Sequence, residues 1–225
     1  MKQLLVGPYI TSTFRPWATG LENVPARGAA ILASNHLSVV DSIFLPLLLK
    51  RRVTFLAKSE YFTGRGVRGW VIRNTMKSLG QLSIDRSGGK ASEASLTTGL
   101  SVLQRGELLG IYPEGTRSPN GKLYRGRTGV ARMILEGHVP VLPVAMIDTE
   151  KAMPIGKRLP KVRRVGVVIG EPLDFSRFAG LESDRFVLRS ITDEIMVEIG
   201  RLSGQEYVDV YASTLRATTA PAGRR

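Results

Sequence analysis

The 225-residue chain contains no cysteine. That excludes disulfides, thiolate-ligated zinc or iron–sulfur centres, and any covalent intermediate carried on an enzyme thiol. Only two histidines occur, His36 and His138, too few for a histidine-rich metal site; His138, next to Val139 and Pro140 at the start of an apolar run, reads as structural. Long hydrophobic stretches are also missing. A spanning helix needs about 20 mainly apolar residues, whereas the apolar run 43–49 has only seven and contains Pro46. The first residues carry Lys2 and a short apolar stretch broken by Gly7 and Pro8, without a small-residue cleavage pattern, so neither a signal peptide nor a transmembrane helix is expected. Acidic residues are scarce: 19 Asp and Glu stand against 32 Lys and Arg, a net charge of +13.

A positive excess of that size gathers anionic partners, which leaves nucleic acid, anionic lipid and phosphorylated substrates open. The excess is uneven. Residues 1–80 hold eleven Lys and Arg against three acids, +8 of the total, interleaved with Trp17, Phe44, Phe55, Tyr61, Phe62, Trp70 and Ile72. Within it, the stretch 61–79 mixes Trp70, Val71, Ile72 and Met76 with Arg65, Arg68, Arg73 and Lys77. A segment of that kind can lay its apolar side into a headgroup region and pair its cations with anionic lipid, or it can pack that side into the core.

The length suits one domain with a real core. Short apolar runs at 30–33, 53–57, 81–84, 108–112, 141–146 and 165–169 alternate with helix-like segments, the pattern of an α/β fold. Leu96, Leu100 and Leu103 recur at helical spacing in 90–105, stopped by Gly106; Val187, Ile191, Ile195, Ile199 and Leu202 mark a longer amphipathic helix ending near Gly204. The expected domain is 1–211, including a short amphipathic N-terminal segment over 1–20. Residues 212–225, rich in Ala, Thr, Gly and Arg, are expected to form a flexible tail.

Four segments could carry chemistry. In the first, Asn35, His36, Ser38 and Asp41 lie between a strand and the apolar helix 42–49. Histidine at a strand end can meet aspartate in the next helix's first turn, where the helix dipole favours a carboxylate. An imidazole titrates near neutrality, and a bonded aspartate fixes its tautomer and stabilises the imidazolium. Ser38 and Asp41 also fit a capping box with Asp in place of Glu, with His36 as a neighbouring loop residue; the cap could itself position Asp41. The second segment runs Gly80-Gln-Leu-Ser-Ile-Asp85-Arg86 and delivers Arg86 to a glycine-containing loop, or simply ends a solvated strand. The third is Tyr112-Pro113-Glu114-Gly115-Thr116-Arg117, in which Gly115 permits close backbone approach and Arg117 offers a planar fork for phosphate or carboxylate; an ordinary turn with a surface ion pair fits as well. The fourth, Val139-Pro140-Val141-Leu142-Pro143-Val144, is a buried strand.

Taken in order, these segments resemble the four motifs of the 1-acylglycerol-3-phosphate acyltransferase family: Asn-His-x-Ser-x-x-Asp, Gly-x-x-x-Ile-Asp-Arg, aromatic-Pro-Glu-Gly-Thr-Arg and Val-Pro-x-x-Pro-Val. Lys58 and Glu60 match the Lys-x-Glu segment often found between the first two. The span 36–144 covers about half the chain, and Tyr112 stands where phenylalanine is commoner. The resemblance implies a single α/β domain of the glycerol-3-phosphate acyltransferase type, with a central mixed β-sheet flanked by helices. It implies transfer of a fatty acyl group from a coenzyme A or acyl-carrier-protein thioester to the hydroxyl of lysophosphatidic acid, making phosphatidic acid. His36 is then the general base and Asp41 its orienting partner. Arg117, Arg86 and Lys58 hold the acceptor's phosphate, and Glu114, Gly115 and Thr116 shape that loop, with its N–H groups or the Thr116 hydroxyl on the thioester oxyanion. Neither cofactor nor metal is implied. The expected partners are an anionic membrane surface, at whose cytoplasmic face the protein would sit peripherally, the lysophospholipid acceptor and the thioester donor. Glycerol 3-phosphate, another lysolipid or a lipid-linked acceptor fits the motifs equally.

A basic nucleic-acid-binding protein is the alternative from another class, but no helix-turn-helix, zinc-finger or RNA-binding aromatic pattern accompanies the charge. Two look-alikes are set aside. Gly64-x-Gly66-x-x-Gly69 spells a dinucleotide fingerprint but lies six residues beyond its strand. Residues 115–122 approach a P-loop, yet five residues separate the glycines and Leu123 replaces the magnesium-binding Ser or Thr.

Overall fold

Strand β2 (Ala30–Ser34) is buried along its whole length, as expected of a parallel strand covered on both faces. In the computed structural model, which describes residues 7–58, 63–64, 66, 69–70, 74, 80–84, 91–157 and 159–219, it lies at the centre of a seven-stranded sheet. The remaining elements are α1 (Gly7–Phe14), β1 (Trp17–Thr19), α2 (Asp41–Leu48), β3 (Val53–Lys58), β4 (Gln81–Ile84), α3 (Ala91–Gln104), β5 (Leu108–Ile111), β6 (Leu123–Tyr124), α4 (Gly129–Gly137), β7 (Val141–Ile147), α5 (Thr149–Ala152), β8 (Gly166–Ile169), α6 (Arg185–Ser203), β9 (Tyr207–Val208) and α7 (Ala212–Thr219).

The sheet order is β1-β8-β7-β2-β5-β3-β4, and β6 pairs with β9 separately. Neighbours in the large sheet run parallel except β7 and β8, so the sheet is mixed and flanked by helices, as expected. Alternation along β2 sends its side chains to two cores. Ile31 and Ala33 join Leu109, Val141 and the helices α3, α4 and α6 through Val102, Ile134 and Ile195. Ala30 and Leu32 join Leu142, Val144 and Met146 with Phe44 and Leu45 of α2 and Phe14 of α1. The two layers hold the sheet rigid between them.

All six expected strands form within a residue of their expected limits, and α3 ends before Gly106, whose φ of 71° only glycine adopts readily. Helix α6 starts at the N-cap Asp184, whose carboxylate accepts from the N–H groups of Phe186 and Val187, and stops at Gly204. Within the stretch expected as a tail, 212–219 is helical and Ala212 is buried. Its anchor is Tyr211, whose ring lies beneath the guanidinium groups of Arg125 and Arg127, while Arg127 Nη2 donates to Ser213 Oγ at 3.0 Å. Residues 220–225 lie outside the described residues. Among the described residues no helix is long and apolar enough to cross a membrane.

The topology places the chemistry. Strands β2, β3, β5 and β7 are mutually parallel through their pairings, so their C-terminal ends share one edge. Ala33 is level with Ile111 and Ser34 with Val144. The chain after β2, containing His36, therefore emerges beside the chain after β5, containing Tyr112 to Arg117. Open parallel sheets bind ligands along such an edge.

Candidate active site

His36 and Asp41 meet. The imidazole Nδ1 is 2.8 Å from Asp41 Oδ2, and that oxygen also accepts the N–H groups of Leu37 and Ser38 at 2.8 Å each. An oxygen so engaged can only accept from the ring, which makes Nδ1 the donor and leaves the lone pair on Nε2. Nε2 has no hydrogen-bond partner among the described residues, and the ring is 16% exposed while Asp41 is buried. Asp41 is the first residue of α2, where the unpaired N–H groups of a helix start favour its charge. Its second oxygen, Oδ1, is buried without a partner among the described residues, so the carboxylate acts through Oδ2.

The capping-box alternative forms only by half. Asp41 reaches back to the Ser38 N–H, but the N-cap is Val40, and the Ser38 hydroxyl turns away to donate to Met153 O at 2.7 Å. What the turn caps is the His36 loop itself.

The backbone of His36 is held by the neighbouring loop. Its N–H donates to Glu114 Oε1 at 3.1 Å, and its carbonyl accepts from Ser118 N at 2.7 Å. Glu114 Oε2 accepts from Tyr124 N at 3.0 Å. Glu114 is thus a buried brace between the loop after β2 and strand β6. Burial pushes its carboxyl from 4.5 up to about 7, against the lowering effect of the two backbone N–H bonds and with a smaller contribution from the charge of Asp41. Asn35, also buried, splices β2 to β7: its Oδ1 accepts from Met146 N at 2.7 Å and its Nδ2 donates to Met146 O at 3.1 Å and to Gln205 Oε1.

Tyr112 supplies a floor for the imidazole, stacked at 3.9 Å between centroids. Its hydroxyl is 2.9 Å from Ser42 Oγ in the first turn of α2. Burial above all, then the charge of Asp41, pushes that phenol well above its ordinary range and keeps it neutral. The loop turns at Gly115, whose φ is 72° and whose N–H closes the turn onto Tyr112 O at 2.9 Å; a Cβ there would crowd Arg127 Nε at 3.1 Å. Thr116 and Arg117 follow, both half-buried.

Of the residues singled out from the sequence, His36, Asp41, Glu114, Gly115, Thr116 and Arg117 come together across β2 and β5. Lys58 ends β3, the strand next to β5, at the same edge. Arg86 lies outside the described residues, as does most of 61–79; Trp70, which is described, is exposed. Not evident from the sequence are Tyr112 as a stacking partner, Ser118 as a clamp, and Glu150, whose half-buried carboxyl is raised by burial and has an unpartnered Oε2 among the described residues. Among the described residues no three His, Asp or Glu side chains gather as a metal site.

The acyltransferase family model matches residues 16–147, a span that contains His36, Asp41 and the loop from Tyr112 to Ser118. The chain is 34% identical over 164 residues to the 1-acyl-sn-glycerol-3-phosphate acyltransferase of Bacillus subtilis, covering 72% of this chain and 75% of that protein. It is 29% identical over 160 residues to the chloroplastic 1-acyl-sn-glycerol-3-phosphate acyltransferase LPAT1 of Arabidopsis thaliana, covering 70% of this chain and 43% of that one. The crystal structure of the 1-acyl-sn-glycerophosphate (LPA) acyltransferase PlsC from Thermotoga maritima superposes with a TM-score of 0.62 at 27% identity, covering 86% of this chain and 79% of the other.

Proposed function

The chain belongs to the acyltransferase family, and on that premise we propose that it transfers a fatty acyl group from a coenzyme A or acyl-carrier-protein thioester to the free hydroxyl of lysophosphatidic acid, giving phosphatidic acid for phospholipid synthesis. The observation that carries this reading is the 2.8 Å pairing of His36 Nδ1 with buried Asp41, which leaves the lone pair of Nε2 unpartnered among the described residues, on a partly exposed ring at the C-terminal edge of the parallel strands.

The chemistry runs as one displacement. Nε2 takes the proton of the acceptor hydroxyl as its oxygen bonds to the thioester carbonyl carbon, and Asp41 stabilises the imidazolium. The tetrahedral intermediate collapses with cleavage of the carbon–sulfur bond. The departing thiolate receives the proton from Nε2, so the products are an ester and a free thiol and the histidine is restored. Oxygen attacks the donor directly, which agrees with a chain that has no cysteine. A backbone N–H of the loop after Gly115, or the Thr116 hydroxyl, stabilises the negative oxygen of the intermediate. Arg117, with Arg86 and Lys58, holds the acceptor's phosphate. The acceptor and product reside in a bilayer, so the protein works peripherally at the cytoplasmic face of an anionic membrane, drawn there by its net charge of +13.

The test uses purified protein, acyl-coenzyme A and lysophosphatidic acid. Free thiol should appear only when both substrates are present, phosphatidic acid should accumulate in equal amount, and His36→Ala should abolish both with an unchanged circular dichroism spectrum. Full turnover in that variant would defeat the mechanism. Turnover with glycerol 3-phosphate in place of the lysolipid would move the acceptor assignment and keep the chemistry.

A further inference from the structure

From Lys151 to Arg164 the chain carries six Lys and Arg and no Asp or Glu, and the same stretch exposes apolar side chains. Leu159 is 81% exposed, Val162 63% and Ile155 44%. Leu159 is thus more open to water than the other large apolar side chains among the described residues. Nothing in the acyl-transfer chemistry uses this segment, which joins α5 to β8 on the antiparallel side of the sheet.

The loop is anchored at its neck and open at its tip. Lys161 N donates to Ala152 O at 2.7 Å, and Lys157 N closes a turn onto Pro154 O at 3.1 Å. The neck is fastened to the catalytic turn, since Ser38 Oγ donates to Met153 O at 2.7 Å. Beside it lies a cleft of about 660 Å³ lined by Lys151, Lys161, Arg163 and Arg164 together with Asp148 and Glu150. Lys151 is paired with Asp148 at 2.7 Å, which leaves Lys161, Arg163 and Arg164 as the cleft's positive side.

We infer that residues 153–164 form a membrane-docking loop, in which Leu159 and Val162 enter the headgroup–acyl boundary of an anionic bilayer while Lys161, Arg163 and Arg164 pair with lipid phosphates. Apolar tips flanked by cations are what interfacial insertion requires. A nucleic acid or an acidic carrier protein would engage the cations alone and give no reason for Leu159 and Val162 to be in water. The bond from Ser38 to Met153 places the docked loop beside the turn that bears His36 and Asp41. The inference rests on the proposed reading insofar as the substrates are membrane lipids, but its test needs no substrate.

Leu159→Trp is mixed with vesicles of phosphatidylcholine alone or with one third phosphatidylglycerol. With the anionic vesicles its emission should shift to the blue and be quenched by acyl-chain-brominated lipid, beyond any change in the wild type, which carries Trp17 and Trp70. In sedimentation, replacing Lys161, Arg163 and Arg164 by Gln should weaken partitioning to anionic vesicles by about 100-fold. Leu159→Ser with Val162→Ser should weaken it by about tenfold or more. Both variants should keep wild-type turnover on a short-chain acceptor below its micelle concentration and lose it on vesicle-borne acceptor.

An unshifted, unquenched Leu159→Trp, or a serine variant that binds vesicles as the wild type does, would overturn the docking loop; loss in the glutamine variant alone would point to a soluble polyanion instead. Insertion as described without any acyl transfer would sink the proposed function and leave the loop standing.

Discussion

The imidazole of His36 lies flat against the phenol ring of Tyr112, with centroids 3.9 Å apart and planes 10° from parallel. Tyr112 is itself stacked on Phe55 at 5.4 Å and joined to Ser42 at 2.9 Å. The histidine is therefore fixed by Asp41 at one ring nitrogen, by Tyr112 on one face, and by Glu114 and Ser118 at its backbone. Such restraint matters because a base loses efficiency quickly when it is displaced from its proton by an ångström.

Tyr112 separates the ring from its hydroxyl. Tyr112→Phe keeps the stack and loses the bond to Ser42, which should cost about 0.5–1.5 kcal/mol of stability and leave kcat within a few fold. Tyr112→Leu removes the stacked face, forfeiting about 0.5–1.5 kcal/mol beyond area alone, and should lower kcat about tenfold with the acceptor KM little changed. Thermal denaturation and steady-state kinetics of the two variants decide it. Wild-type kcat in Tyr112→Leu would show that the stack does not orient the base.

Asp41→Asn tests charge against geometry. An amide oxygen at the Oδ2 position can still accept from Leu37, Ser38 and the imidazole, and the amide nitrogen would occupy the unpartnered Oδ1 site. The fold should persist while the imidazolium loses its counter-charge. Loss of that assistance should lower kcat by about 10²–10⁴, read as acceptor-dependent thiol release. A loss of less than threefold in a folded variant would mean that Asp41 only orients His36.

Much of the site was legible because its motifs are local. His36 and Asp41 are five residues apart, so a strand end followed by a helix's first turn was enough to suggest their meeting. What escaped was non-local. The pairing of Leu123 with Tyr207 and Tyr124 with Val208 joins two-residue strands over 80 residues apart, too short to leave a periodic signal. Helix α4 escaped because glycines bound it at both ends and its cap is His138, a non-glycine residue at φ 48°. Glu114 was expected to shape its loop or to make a surface ion pair; its burial depends on His36 after β2 and Tyr124 in β6, both distant in sequence. The basic, apolar loop after α5 stands out less because its six cations are outnumbered by the eleven of residues 1–80.

In the proposed function Arg117 holds the acceptor's phosphate. Its replacement by alanine should raise the KM for the phosphorylated acceptor by about 10–100-fold, the equivalent of about 1.5–3 kcal/mol for a charge-assisted bond, with the thioester KM within twofold. Arg117→Lys should recover only part, since a point charge does not replace a planar fork. A change confined to the thioester KM would reassign Arg117 to the donor.

Glu114 makes stability depend on pH in a definite direction. Its carboxyl titrates near 7 in the folded protein and at an ordinary 4.5 once unfolded, so between those values the folded state binds more protons. Stability from this group is full below about pH 4.5, falls as pH rises towards 7 and is lost above it, a change of about 3 kcal/mol. Glu114→Gln cannot titrate there, so the difference in stability between wild type and variant should shrink across that window and level off above pH 8. The variant also has one oxygen for two donors, His36 N and Tyr124 N, and leaving one unmet should cost about 1–3 kcal/mol. Because the freed donor can be that of His36, kcat should fall along with stability. Chemical denaturation of both proteins at intervals from pH 4.5 to 8.5 provides the check, and a difference that stays constant over that range would show that the buried carboxyl is ionised throughout.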